Sequence, residues 1–303
     1  MKKRGRRYWL NLLRFGLGTL SAGLLFVLYV AFPILNAKGV AHPKRAPVCC
    51  HTPAHLGLTY EEASFTTSDG VTLRGWYIPS QNRAAILITH GIGGNRLGHL
   101  DQAAALAEHG YGVLLFDLRA HGESEGNTVS FSGEDALAAL NYLQSRKDVE
   151  PGRIGAMGLS LGGLVVIQAA AQSENIKAVV AEGPGPATLQ DMPSPEILTD
   201  WLWLPFDWVW FKTLEQQGIS APLTTVEAMA QIAPRPILII SGAGQRYERR
   251  AMRKYYAAVG DPKTLWEIPE AGHAGCWTAR PEAYADKIVG FFDQALLSDS
   301  NPD

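Results

Sequence analysis

Cysteine is scarce in this chain: Cys49, Cys50 and Cys276 are the only three in 303 residues. That is too few, and odd in number, for a disulfide framework, and neighbouring cysteines rarely bridge because the ring they close is strained. A bridge from Cys276 to one of the pair is the remaining option. No CxxC pair and no His/Cys cluster has metal-ligand spacing. Charge of one sign is also missing in bulk. The formal net charge is −2, and without a general basic surface to neutralise phosphates a nucleic-acid partner is not expected. Neither a Gly-Lys-Ser/Thr phosphate loop nor a dinucleotide fingerprint occurs, which removes the common nucleotide-binding classes. Internal repeats and low-complexity tracts are absent too. The chain is 47% apolar and 18% charged, enough for one large α/β domain with an appendage.

The basic residues that do occur are uneven. Lys2, Lys3, Arg4, Arg6 and Arg7 crowd the start and Arg14 follows, after which no charged residue appears from Phe15 to Leu35. A helix needs about 20 apolar residues to cross the hydrocarbon core, so residues 15–35 can span it. The competing reading is a cleaved signal peptide. Its apolar region is usually about 7–15 residues, and Leu35-Asn36-Ala37 makes a poor small-x-small cleavage site, so an uncleaved anchor is expected. Only Lys38, Lys44 and Arg45 follow the run closely. The positive-inside bias then puts residues 1–14 in the cytoplasm and the main domain outside, periplasmic or extracellular. Residues 36–56, polar and carrying several prolines, read as a tether to a domain over 57–303.

Beyond the tether, strands alternate with helices. Ser64–Thr67 and Leu73–Pro79 flank the hairpin dipeptide Asp69-Gly70. Ala84–Thr89, Gly112–Phe116, Arg153–Met157, Ile176–Ala181, Pro236–Ser241 and Thr264–Ile268 read as buried strands. Leu100–His109, Leu161–Ala171, Arg249–Val259 and Pro281–Leu297 read as helices, as does a segment ending near Arg146 that Ser132 can cap, with Glu134 and Asp135 suiting its positive end. The alternation predicts βαβ units and a mostly parallel sheet flanked by helices.

Gly158-Leu159-Ser160-Leu161-Gly162 matches G-x-S-x-G between a strand and a helix. There a serine on a sharp, strained turn projects its hydroxyl above the sheet, and glycines on either side let backbone approach. The helix N-terminus beyond it stabilises developing negative charge. An ordinary glycine-rich turn is the bland alternative. His90-Gly91-Ile92-Gly93-Gly94-Asn95-Arg96 follows the first buried strand. Such a loop can offer the Ile92 N–H to an oxyanion, paired with the N–H of Leu161, while His90 itself reads as structural.

Together with Asp117-Leu118-Arg119-Ala120-His121-Gly122-Glu123-Ser124 and Glu270-Ala271-Gly272-His273, these motifs resemble the α/β-hydrolase superfamily over roughly residues 60–297. The similarity is to its serine esterase, lipase and serine-peptidase-like branch. In this order the motifs are specific for the fold and uninformative about substrate. The resemblance implies that His273 is the general base for Ser160, a role suited to a side chain with an unperturbed pKa of about 6.5. It implies no cofactor, because acyl transfer through serine needs none.

The acid departs from the family pattern. Members carry Asp a few residues beyond the strand that ends here at Ser241, whereas this chain has Gln245, which cannot supply the charge that stabilises an imidazolium. Glu248 is the first choice, against the alternative of a helix-start carboxylate facing solvent. Glu182, at the end of the preceding strand, is the runner-up. Asp261 falls at the wrong end of the sheet and Glu270 is too near His273 to orient it.

Residues 184–233 occupy the position where the superfamily inserts its cap, after the sixth strand. The stretch Trp201–Phe211 is rich in aromatics, and Trp203, Phe206 and Trp208 are the candidate substrate-binding side chains of an apolar acyl pocket. The same residues can instead dip into a membrane interface or simply pack the insertion onto the core. The expected substrate is therefore a small-molecule or lipid-like ester or thioester. A peptidase or amidase would use the same residues, and an inactive, membrane-tethered binding module is the alternative outside enzymology; the absence of Asp at position 245 speaks for it and the intact Ser160, His273 and oxyanion loop against it.

Overall fold

The structure, a computed structural model, describes residues 2–298, with side chains from Arg7 onward. Met1 and the side chains of Lys2, Lys3, Arg4 and Arg6 lie outside the described residues, as do residues 299–303. The chain divides into two compact units. One joins Ala41 and the residues before it to Ser194–Gly218; the other holds His42–Pro193 and the chain from Ile219 onward.

In the first unit, α1 (Lys2–Phe26) continues through a π-helical turn (Val27–Ala31) into α2 (Phe32–Ala41). The stretch Arg7–Ala41 is long and apolar enough to cross a membrane, and Leu17, Leu20, Leu24 and Phe26 along it are exposed. The expected tether began at residue 36, but the helix continues to Ala41. The same unit contains the later α6 (Leu198–Gln216), which packs on α2 and on the π-helical turn.

The second unit is built on one sheet. Its elements in chain order are β1 (Glu61–Thr66), β2 (Thr72–Ile78), β3 (Ala85–Thr89), α3 (Leu100–Glu108), β4 (Gly112–Phe116), α4 (Glu134–Gln144), β5 (Ile154–Leu159), α5 (Leu161–Gln172) and β6 (Ala178–Glu182). After the insertion come α7 (Thr225–Ala230), β7 (Ile237–Ser241), α8 (Arg246–Ala258), β8 (Lys263–Glu267), α9 (Cys276–Ala279) and α10 (Pro281–Phe292). The eight strands run in the order β1-β2-β4-β3-β5-β6-β7-β8. The hairpin β1–β2 is antiparallel to its neighbours at one edge, and β4 through β8 are parallel. Every residue of β3, β4, β6 and β7 is buried. Burial on both faces is why these strands read as unbroken apolar runs rather than as alternating patterns.

Two local expectations are corrected. The cap position of α4 is Gly133, at φ 87°, one place after Ser132, whose Oγ accepts from Glu134 N–H at 3.4 Å. A Cβ on Gly133 would stand 2.6 Å from the Ala169 nitrogen, so close packing on α5 selects glycine there over a hydroxyl cap. Asp135 stands in the first turn of α4 as expected, and it is also buried against Arg119, whose Nε donates to Asp135 Oδ1 at 2.7 Å. The polar stretch after Ala41 is also no free tether. Arg45 donates to the carbonyls of His121, Gly122, Ser124 and Gly126, and Asn95 Nδ2 donates to Ala46 O and Pro47 O at 3.3 and 3.1 Å. A single guanidinium satisfies several loop carbonyls at once, which fixes the segment to the domain. All three cysteines are free; Cys276 is buried and Cys49 and Cys50 are exposed.

Candidate active site

Ser160 ends the turn from β5 into α5 with φ 54° and ψ −113°. Two close approaches force this geometry. A Cβ on Gly158 would lie 2.3 Å from the backbone carbon of Gly162, and one on Gly162 would lie 2.4 Å from Thr89 Oγ1. Both positions therefore exclude side chains, and the serine between them is held in a strained conformation that only the surrounding packing sustains. Its N–H donates to Glu182 O at 2.9 Å, and its carbonyl accepts from Leu164 N–H at 3.0 Å.

His273 lies in the loop between β8 and α9. Its Nε2 stands 2.9 Å from Ser160 Oγ and its Nδ1 2.8 Å from Glu248 Oε2. Glu248 is 4% exposed and its second oxygen accepts from Gly242 N–H at 2.7 Å. It reaches this position because α8 begins at Arg246, three residues before the expected start at Arg249, so that Glu248 occupies the first turn. Gln245, where the family carries Asp, stands at the helix cap with its amide nitrogen beside Gly272. Glu182 belongs to a different network. Its Oε1 accepts from Cys276 N–H at 3.2 Å and its Oε2 from Tyr284 Oη–H at 2.7 Å. Glu270 is exposed and paired with Arg280. The structure thus brings Ser160, His273 and Glu248 into one hydrogen-bonded chain and sets Glu182 behind it.

The electrostatics follow from these contacts. The bond to Glu248 raises the His273 pKa, burial opposes it, and the negative charges of Glu248 and Glu182 add to the rise. Burial raises the Glu182 carboxyl, against the donors that stabilise its ionised form. Such an array can take a proton from the serine hydroxyl, hold the resulting imidazolium against a carboxylate, and return the proton to a leaving group.

Ile92 and Leu161 flank the serine. Ile92 lines a cavity of ≈ 320 Å³ with Ala46, Gly91, Asn95, Leu159, Ser160 and His273. Among the described residues neither N–H is taken by a turn or side-chain hydrogen bond. The loop that carries Ile92 is braced by His121, and by His90 in the structural role expected of it. His121 Nε2 accepts from Gly93 N–H at 3.0 Å, and its Nδ1 is 2.9 Å from Arg119 O. That fixes the neutral tautomer with the proton on Nδ1, and burial lowers its pKa accordingly. His90 does the same with Leu118 N–H at 3.1 Å and Gly91 O at 2.8 Å; burial pushes it down to about 3. Below them Arg96 Nη1 donates to Asp117 Oδ2 at 2.6 Å, with both side chains buried. The sequence signal for this brace is the DLRAHGES stretch, whose buried histidine and aspartate close onto the loop that carries Ile92.

A second cavity of ≈ 270 Å³ shares Ser160 and His273 with the first and is lined further by Gly183, Pro184, Tyr247 and Met252 among others. A separate cleft at His51, His55, Leu97 and Asp101 is distinct from both, and its Thr52 and His55 serve to cap the turn Pro53–Leu56. Trp203, Phe206 and Trp208 lie on α6 of the first unit, where Phe206 packs on Phe32 at 5.8 Å between ring centroids. Among the described residues no group of three or more His, Cys, Asp or Glu side chains is placed to share a metal ion.

Known proteins similar to this chain in sequence or fold are numerous. The chain is 30% identical over 252 residues to YfhR of Escherichia coli O157:H7, covering 78% of this chain and 81% of that protein. It is 31% identical over 262 residues to the alpha/beta hydrolase domain-containing protein WAV2 of Arabidopsis thaliana, covering 80% and 82%. Among solved structures, the esterase Pf2001 of Pyrococcus furiosus superposes with a TM-score of 0.67 over 84% of this chain and 99% of that one, at 24% identity, a likeness of fold. The model of the alpha/beta hydrolase family matches residues 86–287. That span runs from β3 into α10, and on it the chain belongs to the alpha/beta hydrolase family.

Proposed function

We propose that this protein is a membrane-anchored serine hydrolase that cleaves carboxylic esters or thioesters with an apolar acyl group. The observation that carries the reading is the chain Ser160–His273–Glu248, with contacts of 2.9 and 2.8 Å on the two nitrogens of one imidazole. In the first half-reaction Ser160 Oγ attacks the ester carbonyl while His273 Nε2 takes its proton. The C–O or C–S bond to the leaving group breaks, and that group receives the proton. Water then repeats the sequence on the acyl-enzyme and frees the acid. The N–H groups of Ile92 and Leu161 receive the oxyanion, and Glu248 holds the tautomer of His273 and balances its charge. Apolar walls from Ile92, Leu159 and Ala46 in the first cavity at Ser160 and Met252 in the second suit an acyl chain. The esterase neighbours agree with the reaction class and leave the substrate open.

Residues 15–35 serve as a retained anchor, with residues 1–14 cytoplasmic and the hydrolase unit extracytoplasmic. The long apolar helix supports the anchor, and the excess of basic residues before it supports the orientation. Labelling of the full-length protein in detergent with a fluorophosphonate tests the chemistry. Wild type should label and Ser160→Ala should not. Absence of labelling in a folded wild type would leave the hydrolase fold as a binding module.

A further inference from the structure

Helix α6 leaves a large apolar surface uncovered. Leu198, Trp201, Leu202, Trp203 and Trp208 are between 48% and 74% exposed, and Asp207 is the only charged side chain from Trp201 to Phe211. Contiguous exposed side chains of this size mark an interaction surface rather than chance exposure.

The partner follows from the helix on which α6 rests. Within its unit α6 packs on α2 and on Val27–Ala31, the outer end of the charge-free run. Phe206 meets Phe32, and Trp210 Nε1 donates to Asn36 Oδ1 at 2.8 Å. The two contacts advance together, so Phe206 is level with the last turn of the run and Trp210 with the first polar residue beyond Leu35. At 1.5 Å per helical residue, Phe32 stands roughly 5 Å inside the end of a run that fills the about 30 Å hydrocarbon core. Residues of α6 ahead of Phe206 continue towards the level of Val27–Ala31. Tryptophan is the residue favoured at this boundary.

We propose that α6 is a second membrane element, an apolar helix lying obliquely in the outer interface of the bilayer beside the anchor, with Trp201, Trp203 and Trp208 in contact with lipid. The inference rests on the reading of residues 15–35 as a retained anchor. It deepens that reading, because the hydrolase is then held to the bilayer at two places. Ile197 and Leu198 extend the lipid-facing surface, while the Asp200 carboxylate stays close to its own backbone, accepting from Glu196 N–H at 2.9 Å.

The test uses the full-length protein reconstituted at high lipid excess into phosphatidylcholine vesicles whose acyl chains are brominated near the headgroup end. Wild type is compared with a variant carrying Trp201→Phe, Trp203→Phe and Trp208→Phe, with circular dichroism to verify that the variant is folded. Bromolipid should quench a large share of wild-type tryptophan emission, and that share should fall by about half or more in the variant. These three are among the eight tryptophans of the chain. An unchanged quenched share, with the three tryptophans open to acrylamide from the water, would overturn the proposal. Shielding from both bromolipid and acrylamide, with cross-linking of two chains, would assign the surface to a second copy and overturn it as well. Flotation with the vesicles reports the anchor separately. A wild type that fails to float removes the anchor and this inference together, whereas one that floats without quenching removes the inference alone.

Discussion

Glu248→Gln preserves shape and removes charge at a position where both carboxylate oxygens are engaged. Gly242 N–H donates to one oxygen at 2.7 Å and His273 Nδ1 faces the other at 2.8 Å. In the variant the amide oxygen can serve Gly242 only by turning the amide nitrogen towards His273. That nitrogen donates, so Nδ1 must accept, and the imidazole proton moves to Nε2, which faces Ser160 and can then no longer take the serine proton. The loss of charge acts in the same direction. Opposite charges about 4 Å apart attract by about 4 kcal/mol at an effective dielectric constant near 20, before screening reduces it. The His273 side chain is 42% exposed, so that figure is an upper bound. Tautomer and charge together set the expected fall in kcat at about 10³–10⁴-fold, the scale seen when a triad acid becomes its amide. The comparison is Glu182→Gln. Its amide oxygen can accept from Cys276 N–H while the amide nitrogen donates to Tyr284 Oη, so the network survives, and the lost charge is one step further from the reaction; kcat should fall less than about tenfold. The assay is steady-state hydrolysis of a short-chain nitrophenyl ester by full-length protein in detergent, with fluorophosphonate labelling rates in parallel. A Glu248→Gln enzyme within tenfold of wild type, beside a Glu182→Gln enzyme that has lost three decades, would refute the assignment.

Because the bond to Glu248 raises the His273 pKa and the base must be neutral, kcat/KM should fall on the acid side with a midpoint above about 6.5. The attraction to protonated His273 stabilises the fold at low pH and is lost as pH rises through that midpoint; in Glu248→Gln any residual profile should shift down, and an unshifted one would show that Glu248 does not set the base. Arg96→Met leaves the buried Asp117 without its cation, since Arg96 and Asp117 side chains are 2% and 0% exposed. Urea unfolding should show a loss of about 3–5 kcal/mol, and one below about 1 kcal/mol would mean the pair is solvated. Gly158→Ala puts a Cβ 2.3 Å from Gly162 backbone and should cost about 4 kcal/mol or prevent folding, whereas Gly152→Ala, with nothing within 4 Å, should move the urea midpoint very little.

The parallel strands were legible because residues buried on both faces, such as Ile86–Ile88 and Val113–Leu115, admit no polar alternation. The serine turn was legible because Gly158 and Gly162 are required by close approach on both sides of Ser160. The start of α8 was not, since Gln245 and Arg246 carry no strong cap signal and the helix is fixed by what Glu248 reaches. The cap position of α4 falls one residue past Ser132 for a related reason: the serine rule is local, while the choice of Gly133 is made by the backbone of Ala169. Arg45 was equally illegible. In sequence it is one more polar residue in a proline-bearing linker, and only the carbonyls of the loop His121–Gly126, some 80 positions on, give it a place. The partner of the aromatic run was hidden likewise, because a pairing between Phe32 and Phe206 leaves no periodic trace.

Two buried carboxylates stand near one histidine, and their unequal bonding divides the work. Glu248 spends one oxygen on Gly242 and leaves the other to His273, so its charge acts on the base directly. Glu182 has both carboxylate oxygens engaged, by Cys276 N–H and Tyr284 Oη–H, while its backbone carbonyl accepts from Ser160 N–H. That one residue at the end of β6 therefore ties the serine turn to the segment just after His273. The backbone turn that carries Ser160 and the segment three residues after His273 thus share one residue at the end of a buried strand. Burial raises Glu182 towards its neutral form and its donors resist that rise. In either protonation state it keeps a bond to each of the elements it joins, so its bracing survives changes in pH that would alter the charge on the base. Each carboxylate has two partners on its oxygens, so it is the identity of the partner that separates them: Glu248 meets a nitrogen of His273 and Glu182 meets none, which is the ground on which Glu248 is proposed as the orienting acid.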